Sequence, residues 1–296
     1  MGNEIAALVR QLASHDRAIC YQASTRLGEF GEAAIDELIA VLDDATIDDS
    51  WLNHTFKLIG EPAVEPLIHA LQDNSSTLRQ QRAALALGAI GDARAIPSLL
   101  AALRDDDEEV RAEAATALGG FTEAEAVGDL LVALEDESAL VRAKAAWSLG
   151  NFDDVRAIEK LLRATEDPDA QVRRGAIWSL AKLQVEQAIP KFKAALQDPD
   201  KDVQQLAVVA LRKIAGDTTA LEQYQATGSQ TEAQEVQRIL DAIRPDDGLD
   251  ESEMDKLRHS NPRIRARLLM ELGQIQAKGA ISALLTALND INPAVR

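Results

Sequence analysis

Apolar side chains recur every three or four residues along most of this chain, and short polar stretches interrupt them at regular intervals. In 92–104, DARAIPSLLAALR, the residues Ile96, Leu99, Leu100 and Leu103 fall at helical spacing. Asp92 precedes them as an N-cap, and Pro97 falls in the early turns, where a missing N–H costs least. The run Asp105-Asp106-Asp107 predicts a turn that also caps a second helix. That helix, 108–119, reads EEVRAEAATALG and closes at Gly119 as a C-cap. Each unit is therefore a pair of helices.

The pair repeats. Val110-Arg111, Val141-Arg142 and Val172-Arg173 lie 31 residues apart, and Val203-Gln204 continues the series. Ile264-Arg265 and Val295-Arg296 show the same interval. Gly88, Gly119 and Gly150 form a second register, and Asp105, Asp136, Asp167 and Asp198 a third. Agreement among three registers marks a stacked-repeat architecture. It places pairs near 3–29, 33–60, 62–88, 93–119, 124–150, 154–181, 186–214, 217–244 and 249–274, with a partial repeat over 278–296. The pair at 33–60 is bulkier (Trp51, Phe56, Ile59). The segment 217–250 loses the consensus and reads as an irregular repeat, or as a hinge or docking site. The last residues fall inside a second helix, so the end is expected to be either trimmed, the favoured reading, or covered by another element.

The unit VRxxAAxALGxxGDxxAIPxLLxALxD, clearest in Val110–Gly119 and Arg79–Asp105, resembles the short HEAT-like repeat of the phycobilisome-lyase type over nearly the whole chain. The resemblance implies an all-α fold, a right-handed α-α superhelix of about nine helix pairs in a single domain over 1–296. Some members of that family attach open-chain bilins to cysteines of phycobiliproteins. Others remove bilins or assist phycobilisome turnover, others are scaffolds, and one branch is the di-iron enzyme deoxyhypusine hydroxylase. That branch is recognised by His-Glu pairs. Here His15, His54, His69 and His259 are followed by Asp16, Thr55, Ala70 and Ser260, so the hydroxylase reading fails.

No phosphate-binding loop, zinc-protease helix, nucleophile elbow or paired-cysteine motif occurs in the sequence. Isolated histidines and one cysteine, Cys20, disfavour a metal site and exclude an internal disulfide. Cys20 stands where other repeats have arginine and reads as a structural thiol. The 49 acidic and 31 basic residues leave a formal charge of −18, which repels nucleic-acid phosphates and anionic membranes. No apolar leader and no run of 18 apolar residues is present, so the reading is a cytoplasmic protein without membrane insertion.

A helical wheel locates the face left for binding. With the repeat valine at 0° and about 100° per residue, the alanine four positions on and the leucine eight positions on fall at about 40° and 80°, the buried stripe. Positions two, three and six after the valine fall at about 200°, 300° and 240°, on the far side. The sixth position reads Thr116, Trp147, Trp178, Val209. Lys144 and Arg174 share this face, with Leu140 and Leu206 at its edges. In the resembling family the second helix of each pair lines the concave surface, so these eight residues form the candidate groove for a partner or ligand. The competing reading is that the indoles merely fill the inner curve. Trp51 falls in the valine register and is expected in the core. Arg111, Arg142 and Arg173, with Asp105, Asp136 and Asp167, read as a structural ladder between repeats.

These features favour a non-catalytic scaffold or adaptor holding a client protein in its groove, such as a cofactor-bearing client. The alternative is a bilin lyase or bilin-handling chaperone acting on phycobiliproteins. No cofactor is required by the residues themselves; a bilin is the one the resemblance would bring. Partners are then a phycobiliprotein or cofactor-assembly protein and a second HEAT-like subunit.

Overall fold

The computed structural model describes residues 2–121 and 125–215, and each element there is helical, with no strand among the described residues. Seven pairs follow in chain order: α1 (Gly2–Gln11) with α2 (Arg17–Phe30), α3 (Ile35–Ala40) with α4 (Asp49–Ile59), α5 (Val64–Gln72) with α6 (Thr77–Ile90), α7 (Ile96–Ala102) with α8 (Glu108–Leu118), α9 (Glu125–Ala133) with α10 (Ala139–Leu149), α11 (Val155–Ala164) with α12 (Ala170–Lys182), and α13 (Ile189–Ala195) with α14 (Lys201–Ala215). Of the described residues, 2–191 and 198–206 form one compact unit, while 192–197 and 207–215 belong to a second. The repeats read at 217–244, 249–274 and 278–296 lie outside the described residues.

The predicted stripe is the core. Val110, Ala114 and Leu118 in α8, Val141, Ala145 and Leu149 in α10, and Val172, Ala176 and Leu180 in α12 are all fully buried. The first helices of the pairs add Leu99, Val127, Leu130, Ala157 and Leu161. Each large member contributes about 1.5–3 kcal/mol by leaving water. The alanines do something else: they let α8, α10 and α12 lie side by side at close range.

That closeness explains the glycine register, and not in the way the sequence suggests. Gly119 does cap α8, but its φ of −65° is ordinary helical backbone. A Cβ there would lie 2.5 Å from Ser148 Oγ and 3.0 Å from Ser148 Cα of α10. Gly88 lies inside α6, where a Cβ would meet Ala117 Cα at 2.7 Å. These positions are glycine because the next helix leaves no room for a methyl group. The serines facing Gly119 and Gly150 are also used, since Ser148 Oγ donates to Ala115 O at 2.7 Å and Ser179 Oγ to Ala146 O at 2.5 Å.

The turns between paired helices hold the second recurrent device. Asp107 caps α8 through the amides of Glu109 and Val110, and Asp169 caps α12 through those of Gln171 and Val172. Asp92 accepts from the amide of Arg94, and the Arg94 guanidinium beside it holds its carboxyl down at about 2. In the second helices other than α4, a donor that reaches back to the turn stands four residues after the cap. Arg111, Arg142 and Arg173 donate through Nη1 to the carbonyls of Asp105, Asp136 and Asp167 at 2.8, 2.9 and 2.9 Å. Gln204 does the same to Asp198 O at 2.7 Å, and the buried thiol of Cys20 to Ser14 O at 3.1 Å. Cys20 is thus a structural donor in the arginine slot, as expected.

The arginines then link one repeat to the next. Arg111 Nε and Nη2 meet both Asp136 oxygens at 3.0 Å. Arg142 meets Asp167 at 2.8 and 3.0 Å, and Arg173 meets Asp198 at 2.8 and 2.7 Å. Gln80 reaches Asp105 Oδ2 at 3.5 Å, extending the same spacing by a weaker rung. Burial alone would raise the carboxyls of Asp136 and Asp167. The hydrogen bonds from Arg111 and Arg142, and from the amides of Ser138 and Asp169, outweigh it and hold both below the usual carboxylate range.

The second pair departs from this pattern. In α4 the donor slot holds Leu52, which is buried, and the turn before it has no side chain of its own to reach back. Arg82 of α6 fills the role from the next repeat. It donates to the carbonyls of Leu42, Asp44 and Ile47 at 3.1, 2.8 and 2.7 Å, and its Nε meets Asp49 Oδ1 at 2.7 Å. The expectation that Trp51 is core is not met. It is half-buried, its ring edge-on to His54 at 6.5 Å, because an indole exceeds the gap that valine fills between closely spaced helices.

Three outcomes follow from these contacts. Arg142→Ala leaves the Asp167 carboxylate and the Asp136 carbonyl without their partner, and should lower stability by about 3 kcal/mol in a denaturant melt while leaving partner affinity unchanged. Gly119→Ala should cost about 1–3 kcal/mol, because part of the clash is with backbone. Asp136 and Asp167 have folded-state pKa values below the unfolded value of about 3.9, so their contribution is present above that pH and is lost as pH falls through the folded values. Melting temperature should therefore drop below about pH 4, and Arg142→Ala should flatten that drop.

Candidate functional site

The eight residues singled out from the helical wheel do not all converge. The structure brings together the pair at its centre. Trp147 on α10 and Trp178 on α12 have ring centroids 4.9 Å apart with planes inclined at 46°. Both are half-buried, turned away from the valine stripe. Each rests on a glycine of the neighbouring helix. A Cβ on Gly175 would lie 3.0 Å from Trp147 Cδ1, and one on Gly150 would lie 2.8 Å from the Trp178 ring. The indoles thus cover backbone and each other while staying partly exposed, which grants part of the competing reading that they pack on their neighbours.

Three cations stand within one helical turn of the pair. Lys144, one turn before Trp147, makes an ion pair with Glu113 of α8 at 3.6 Å. Arg174, one turn before Trp178, meets Asp202 at 3.3 Å and Gln171 Oε1 at 3.2 Å, while its Nε is buried without an acceptor. Lys182, one turn after Trp178, places its ammonium 4.9 Å from the centroid of that ring and bonds Asn151 Oδ1. A cation over an indole face is worth roughly 0.5–1 kcal/mol at an exposed site. Along α12 the order is therefore cation, indole, cation.

The remaining candidates lie at the margins. Leu140 is 42% exposed at the start of α10, and Leu206 is half-exposed on α14. Thr116 is half-buried with its hydroxyl bonded to Ala112 O within its own helix, so it offers little to a ligand. Val209 is 53% exposed and belongs to the second unit. Sequence reasoning missed Lys182 and Gly175. Both left a signal: Lys182 stands four residues after Trp178, and Gly175 interrupts a helix where alanine would be favoured by about 1 kcal/mol. Among the described residues no cluster of three or more histidine, cysteine or acidic side chains could hold a metal ion. No helix among them is long and apolar enough to cross a membrane.

Stacked helix pairs with interlocking turns, a stripe of valine, alanine and leucine, and an arginine–aspartate ladder define a helical repeat protein. The HEAT repeats family matches residues 54–119, 96–181 and 158–241, more than half of the chain, and the chain belongs to that family. No curated protein sequence matches it. Among solved structures it is similar in fold to a chain of the CpcE and CpcF complex of phycocyanin lyase from Nostoc sp. PCC7120, at 24% identity over 75% of this chain and 92% of that one, with a TM-score of 0.50. It is also similar to YibA of Escherichia coli, at 18% identity over 95% of both chains with a TM-score of 0.53. A third likeness is to a chain of the Kap95p and RanGDP structure, at 15% identity over all of this chain and 49% of that one, TM-score 0.60.

Proposed function

We propose that this protein is a non-catalytic scaffold that holds a client protein against the face bearing Trp147 and Trp178. The observation that carries the reading is the pair of adjacent, half-exposed indoles, 4.9 Å apart, on the side of α10 and α12 opposite the buried stripe. Aromatic and arginine side chains in such a setting dominate the energetics of protein interfaces. HEAT-type folds present long arrays of second helices, and the solved relatives include a CpcE and CpcF complex and a structure of Kap95p binding RanGDP. The client is a protein, and a second HEAT-like subunit is a natural partner. The proposal treats the chain as one cytoplasmic repeat domain over 1–296, with an irregular repeat at 217–250 and a partial one at 278–296.

A second reading is the handling of an open-chain bilin, carried by the same geometry. The indole pair suits a flat conjugated ligand, and Lys144, Arg174 and Lys182 suit its propionate carboxylates. A phycobiliprotein would then be the client, and the protein would act as a bilin lyase or chaperone.

The two readings separate in one set of measurements. Trp147→Ala combined with Trp178→Ala should weaken capture of the client from the source cell about thirtyfold, the roughly 2 kcal/mol of hot-spot side chains. Helix content by circular dichroism should stay that of the parent. Undiminished capture by a folded double variant would defeat the scaffold reading at this face. Free bilin added to the parent should leave its visible band unshifted on the first reading and shift it on the second.

A further inference from the structure

We infer that the client segment seated on the tandem indoles is an extended acidic peptide with the alternating pattern acid, any residue, apolar, any residue, acid. This rests on the proposal that the indole face is a docking site, and adds the chemistry of what docks there.

The chain carries a net charge of −18, yet three cations stand within one helical turn of the indoles: Lys144, ion-paired with Glu113, Arg174, ion-paired with Asp202, and Lys182, which lies over the Trp178 ring and bonds the neutral Asn151. A small positive island in an acidic molecule concentrates field where it stands and selects short anionic groups over long ones. A nucleic acid would extend its phosphates beyond the island onto acidic surface, so the polyanion is disfavoured while a peptide with two or three carboxylates is not.

Spacing fixes the pattern. Arg174, Trp178 and Lys182 follow each other at four-residue intervals on α12. Each step advances about 6 Å along the helix axis. Two residues of an extended chain advance about 6.6–6.8 Å. The row also turns about 40° around the helix at each step, so a strand-like segment crossing α12 obliquely brings every second side chain to it, setting an acid at Arg174, an apolar side chain at Trp178 and an acid at Lys182. Side chains of alternate residues point to one side of an extended chain, so the same three face the protein. Lys144 and Trp147 on α10 widen the site beside this row, and the tilt between the two rings leaves the shared apolar surface on which a leucine or aromatic side chain packs.

Labelled peptides test the inference on the full chain by fluorescence anisotropy. The probe contains Glu-Ser-Leu-Ser-Glu, and its controls replace both glutamates by lysine, replace leucine by serine, or place the glutamates side by side. The probe should bind at least tenfold tighter than every control, lose affinity on raising salt from 50 to about 500 mM as exposed charges are screened, and weaken about tenfold with Lys182→Glu, whose side chain is exposed. Circular dichroism of that variant should match the parent. Equal or tighter binding of the lysine peptide or of oligothymidylate would overturn the inference, as would indifference to Lys182→Glu or to the order of the residues. If client capture depends on Trp147 and Trp178 while the acidic probe does not bind, the docking face stands and the acidic segment is refuted.

Discussion

The structure depends on one contact repeated along the chain: an arginine that closes the turn of its own repeat and, with the same guanidinium, grips the aspartate of the next. The five donors of the group are fixed in a plane, so Nη1 turns inward to two carbonyls while Nε and Nη2 form a fork on the carboxylate. Lysine could not do both. One half of the contact sets the angle between paired helices, and the other sets the step to the following pair. Burial of the valine, alanine and leucine stripe drives association, but it is indifferent to small slips. The fork is not. It couples the geometry inside each unit to the geometry between units.

Neutral donors use the same slot where the second grip is absent or weak. Cys20 and Gln204 satisfy the turn, and Gln80 makes the turn contact plus one long rung to Asp105. The slot therefore has a constant duty, closing the turn, and an optional one, linking repeats. The pair with Leu52 is the exception that shows the constant duty is obligatory. With no donor in place, Arg82 is brought in from α6 and spends all three of its nitrogens there. Buried carbonyls require partners wherever those partners come from.

Much of this was legible in the sequence, and what was not has a physical reason. The period, the helix pairs, the buried stripe and the arginine–aspartate ladder follow from spacing, since helical geometry fixes which residues share a face. The chemistry of single contacts was read less well. Gly119 looks like a conformational cap because glycine often is one, and only the closeness of Ser148 reveals the packing role. Trp51 carries the right register but too large a side chain for a gap built around valine. At the site, Trp147 and Trp178 were placed on one face by the wheel, whereas their cradling glycines and the cation from Lys182 depend on how neighbouring helices meet. Thr116 was included by register alone, and its hydroxyl turned out to be occupied within α8.

The fork between Arg142 and Asp167 joins residues 25 apart, and so do those on either side of it. Each rung is therefore local in the chain and closes without reference to distant parts of the molecule. A gene segment encoding one whole period can be duplicated or lost, and every remaining arginine still finds an aspartate at the proper distance. An insertion of a few residues inside a period has no such licence. Changes of length that keep the ladder intact are thereby quantised in whole helix pairs.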